Sequence, residues 1–151
     1  MTGLLGGAMS ALPWLVIAVV LVEFALADEL PAPRVRRAFL GAGAVLVAVT
    51  ATAAWLSPPL ATPTHLATAC GPLAFLLLHA ALRALFRSVK QSEPVLLFTP
   101  DAHRGGSRRL FHEPDAPRRV TGWDYVYSLS VGVAMLLSAA PALNEIIARG
   151  A

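Results

Sequence analysis

The chain has 151 residues, of which 56% are hydrophobic and 14% charged, whereas about a quarter of an ordinary soluble domain is charged. Four bilayer crossings of about 20 residues each would take up much of it, which excludes a separate soluble catalytic domain of ordinary size. The net charge of +3 would suggest nucleic acid in a soluble protein, but nine of the twelve Lys and Arg fall between Arg83 and Arg149. That clustering reads as membrane topology and contact with anionic headgroups, with no nucleic acid involved.

The first apolar run covers residues 4–27 and is interrupted by Pro13, near its start where a helix tolerates proline, and by Glu23. Ala25-Leu26-Ala27 before Asp28-Glu29 resembles a signal-peptidase site. A cleavable leader needs a basic region ahead of its apolar core. None precedes this run, and cleavage would leave Arg34, Arg36 and Arg37 outside. The run is therefore expected to stay as a span.

A polar connector with Pro31 and Pro33 leads to the second run, residues 38–56. Gly41, Ala44, Ala48 and Thr52 recur at spacings of three and four. Small residues in that pattern let helices approach closely in lipid, so this span is expected at the bundle centre. Trp55 closes the run at interface depth. Ser57-Pro58-Pro59 stops the helix, and Pro63 is expected to keep the next segment non-helical.

The third run, residues 66–86, contains Pro72, which should kink it, and carries His79 and Arg83 one turn apart. The single cysteine, Cys70, reads as a small buried hydrophobe. The fourth run, residues 123–147, opens with Trp123, Tyr125 and Tyr127. Thr121 is placed as its N-cap, with Asp124 as an imperfect capping-box partner. Pro141 should bend its far end.

Lys and Arg counts along the chain run zero, three, zero, eight and one, the eight being seven in the large loop plus Arg83 at the flank of the third run. Positive charge is retained on the cytoplasmic side, so the pattern predicts both termini outside and the large loop, residues 87–122, inside. The fold class expected is a single all-α membrane domain, a four-helix bundle. Alanine, arginine and proline usage suggests a GC-rich bacterial genome and hence a bacterial cytoplasmic membrane.

Within the loop, residues 93–100 and 108–114 flank a turn-like stretch holding Gly105-Gly106, which reads as a β-hairpin. A lone hairpin is marginal in water, so it should pack on its own helices or on a partner. Arg104, Arg108, Arg109, Arg118 and Arg119 make this the expected docking loop.

Charges inside hydrocarbon are costly and mark functional candidates. At about 1.5 Å per residue, Glu23, His79 and Arg83 fall in one depth band, so a Glu23–Arg83 pair with His79 one turn above is expected. It would serve either as a lock between two helices or as a proton or ion relay. Asn144 and Glu145, at the end of the last span, are expected to be solvated. His65, His103 and His112 lack the close spacing of a zinc site, so neither metal nor cofactor is expected. G-x-S-x-G, H-E-x-x-H and CxxC do not occur, and Ser128 and Ser130 read as helix-bonding hydroxyls.

A non-catalytic accessory, assembly or immunity-type protein, acting on another membrane protein or as a homo-oligomer, best fits this reading. An oligomeric transporter or channel using Glu23 and His79 is the alternative.

Overall fold

The computed structural model describes residues 2–57, 62–97 and 120–150. They form five helices: α1 (Thr2–Ala25), α2 (Pro33–Leu56), α3 (Pro63–Ala69), α4 (Gly71–Lys90) and α5 (Gly122–Gly150). Four of them, α1, α2, α4 and α5, are long and apolar enough to cross a membrane.

Their outward faces are apolar too. Leu15, Val45, Val49, Leu77, Leu129 and Leu137 are all exposed. In water such a surface would associate; in lipid it is the ordinary exterior of a span. The inward face of α5 includes Asp124, Tyr127, Val131, Ala134, Ser138, Ala142 and Glu145, at steps of three or four residues that keep one stripe turned to the core. Leu12, Val16, Val20 and Glu23 form the matching stripe of α1, which Ala27 continues just beyond the helix. The core lies where these stripes meet Phe75, Leu76 and Phe86 of α4.

α5 packs along both α1 and α4, while α2 rests mainly on α3 and α4 and barely touches α1. The second span is thus peripheral, which corrects the expectation that it is central. Gly41, Ala44, Ala48 and Thr52 face outward, and a Cβ added at Gly41 meets nothing. The buried face of α2 is Gly43, Thr50 and Ala53. Both faces carry small residues, so spacing alone did not distinguish them.

Proline positions explain the helix boundaries. Pro33 and Pro63 both begin helices, because a first-turn N–H has no intrahelical partner to lose. This extends α2 back through Arg34, Arg36 and Arg37, and makes helical the segment after Pro63. Pro72 lacks the N–H that would reach the Thr68 carbonyl, and α3 gives way to α4 at Cys70. Cys70 is exposed, not buried.

Helix backbones approach closely at Gly71. A Cβ there would lie 2.7 Å from the Ser138 carbonyl of α5 and 3.1 Å from Val16 of α1. Only glycine allows three helices to meet so tightly.

Pro13 is fully buried in the middle of α1, not near its start. It removes the N–H that would satisfy the Met9 carbonyl. Arg149 of α5 donates to that carbonyl at 3.2 Å and to Ser10 O at 3.1 Å. A side chain from a neighbouring helix thus satisfies the backbone group freed by a proline.

The contacts of Arg149 bring the start of α1, the start of α3 and the end of α5 to one end of the bundle. The other end holds Arg83, Arg87 and Lys90 of α4 and the start of α5.

No strand occurs among the described residues. The described part of the expected first strand, 93–97, is irregular because its amides bond side chains of α5. Val95 N donates to Asp124 Oδ1 at 3.0 Å and Leu97 N to Ser128 Oγ at 2.9 Å. The rest of the expected hairpin, residues 98–114, lies outside the described residues, as do Arg104, Arg108, Arg109, Arg118 and Arg119.

Candidate functional site

Glu23 is 0% exposed, and neither carboxylate oxygen has a hydrogen-bond partner among the described residues. It sits in the valine stripe of α1, where a helix-periodic apolar face carries it into the core. A bare carboxylate in that setting has a high desolvation cost.

The expected Glu23–Arg83 pair does not form. Arg83 instead donates from Nε and Nη2 to Glu93 Oε2 at 2.9 and 2.7 Å, and Arg87 Nη1 lies 3.1 Å from Glu93 Oε1. The reversal comes from the end of α4. Gln91 adopts the left-handed conformation (φ 56°) that commonly terminates helices, and the chain turns back to place Glu93 beside both arginines.

His79 is buried at 4% exposure. Its Nε2 lies 3.1 Å from the Tyr127 hydroxyl, and its ring stacks on Phe75 with centroids 6.1 Å apart. The terminus of α1 does approach His79 and Arg83, but through Ala27 and Asp28, about one turn beyond Glu23. These four residues, with Pro31, Pro94 and Tyr127, surround a void of about 10 Å³, close to the least volume that holds one water.

A larger cavity of about 600 Å³ opens between α2 and α4 at the same end, with Arg36, Arg83, Arg87 and His79 in its wall.

The start of α5 is fixed by Asp124. Its Oδ2 accepts from the Thr121 amide and hydroxyl, both at 2.8 Å, so the reciprocal half of the capping box is made. Ser128 Oγ donates back to the Asp124 carbonyl at 2.7 Å, as expected of a hydroxyl in a span, and Ser130 bonds Val126 O in the same way.

The opposite end holds a cluster that the sequence reading missed. Glu145, expected to be solvated, is 6% exposed. It accepts from Thr68 Oγ1 at 2.8 Å, pairs with Arg149 one turn on, and lies 3.1 Å from His65 Nε2. The Thr62 amide donates to His65 Nδ1 at 3.1 Å. Arg149 Nη2 lies 3.0 Å from the other ring nitrogen. The i, i+4 spacing of Glu145 and Arg149 was the available signal; the partners on α3 had none, being about 80 residues away in sequence.

No family model, no curated protein and no solved structure matches the chain.

Proposed function

We propose that this protein is a non-catalytic accessory or assembly subunit of a membrane complex, with both termini outside and loop 87–122 in the cytoplasm of a bacterial cell. The observation that carries the reading is the use of its buried polar groups. Glu145, Asp124 and Ser128 each bond a second segment of the same chain. An active site instead converges its polar groups on space for a substrate. The arginines Arg104, Arg108, Arg109, Arg118 and Arg119 supply the docking loop, whose charge suits an acidic partner surface.

Extraction in mild detergent, followed by mass measurement of the particle, tests this. A stoichiometric complex with a different protein, dissociated by the double substitution Arg108→Glu and Arg109→Glu, is the expected result.

Glu23, which has no hydrogen-bond partner among the described residues, supports a second reading, an oligomeric ion or solute pathway through Glu23 and His79. A symmetric homo-oligomer whose reconstituted flux disappears in Glu23→Gln would favour it over the accessory role.

A further inference from the structure

We propose that the cavity between α2 and α4 is a binding site for one anionic glycerophospholipid. Among the described residues its lining holds Arg36, Arg83, Arg87 and His79 and no acidic side chain. The mouth is cationic from both helices. Glu93 lies between Arg83 and Arg87 and holds their guanidinium groups in place, while Arg36 faces them from α2. Three guanidinium groups line the cavity and Glu93 pairs with two of them, which leaves an excess of positive charge that suits a phosphodiester.

Below the mouth the wall turns apolar. Leu40, Leu76 and Leu77 line it, and Leu40 and Leu77 are also exposed on the bundle surface, so the groove opens sideways to where acyl chains lie. From Arg87 to Leu76 the groove follows α4 for about 16 Å, at roughly 1.5 Å per residue. A volume of about 600 Å³ is within the usual range for small-ligand sites.

A free phosphate would fill the mouth and leave the leucine wall empty. An acidic peptide would bring backbone amides into hydrocarbon without partners. A lipid matches both halves at once, and basic pockets between spans are a recurrent way of holding anionic headgroups. The site does not depend on the partner protein proposed above.

Native mass spectrometry of the full chain in detergent, with equimolar phosphatidylglycerol and phosphatidylcholine added, tests the assignment. The expected result is one retained phosphatidylglycerol, favoured about tenfold or more. Arg36→Gln with Arg87→Gln should remove that preference. Arg34→Gln with Arg37→Gln takes the same charge from positions outside the cavity and should leave the preference intact. Ala84→Phe fills the cavity without changing charge and should lower retention, so it decides the matter if the double arginine variant does not fold. Equal retention of the two lipids would overturn the proposal. So would equal loss in the control pair, or displacement of the lipid by millimolar inorganic phosphate.

Discussion

Arg149 donates to the carbonyl of Met9, the group left without its helical partner by Pro13 four residues on. The proline and the arginine sit on helices far apart in sequence, and each accounts for the other. Arg149→Ala also removes the partner of the buried Glu145, so it should lower stability in detergent by about 3 kcal/mol or more. Pro13→Ala restores the intrahelical N–H, so Arg149→Ala should cost less in that background. Strictly additive effects in the double-mutant cycle would show that the two are not coupled.

Glu145 and Glu93 both pair with arginine, yet their environments differ. Glu145 is 6% exposed and bonds α3 as well as α5, whereas Glu93 is 32% exposed. Removing one member of a buried pair typically costs about 3 kcal/mol or more, and removing an exposed one under about 1 kcal/mol. Glu145→Ala should therefore destabilise the bundle much more than Glu93→Ala in a thermal unfolding series. Equal losses would mean that the Glu145 cluster is solvated.

Gly71 and Gly41 offer a contrast within one residue type. Gly71→Ala drives a Cβ against the Ser138 carbonyl and should cost about 2 kcal/mol through overpacking. Gly43→Ala would put a Cβ 2.6 Å from Leu73 Cδ2 and 2.8 Å from its Cγ; its two close contacts are with a side chain that can shift, so it should cost less. Gly41→Ala meets open space and should be neutral or slightly stabilising in the monomer. A large loss at Gly41 would instead reveal that this face is covered by another chain.

Asp124 holds both the first turn of α5 and the segment after α4. Asp124→Ala should cost about 1–2 kcal/mol as a lost cap. It should also free residues 93–97, so trypsin should cut faster at Arg87 or Lys90. Loss of stability without faster cutting would separate the two roles.

The single cysteine makes orientation measurable. In a Cys70→Ser background, a cysteine at Ser107 should react with an impermeant maleimide only in inside-out vesicles. Labelling of intact cells would reverse the proposed topology.

The spans were legible because a helix facing lipid must be apolar over most of its circumference, and this signal survives without any partner. The same property hid the packing. In α2 the small residues Gly41 and Gly43 look equivalent, and only the position of Leu73 on another helix makes Gly43 the buried one. The Glu23–Arg83 pairing failed for a local reason. Depth arithmetic placed both residues near the same end, but it could not register that the turn at Gln91 brings Glu93 back to Arg83. The capping role of Asp124 was readable because all its determinants lie within four residues.

The ties made by Arg149 and Glu145 also order events during synthesis. A chain emerging from its N-terminus exposes the Met9 carbonyl, then the Thr68 hydroxyl, long before the helix that satisfies them has been made. Until α5 inserts, those groups must turn to water or to lipid headgroups. The bundle is therefore a structure that closes late, sealed by a glutamate and an arginine in the final turns of its last helix.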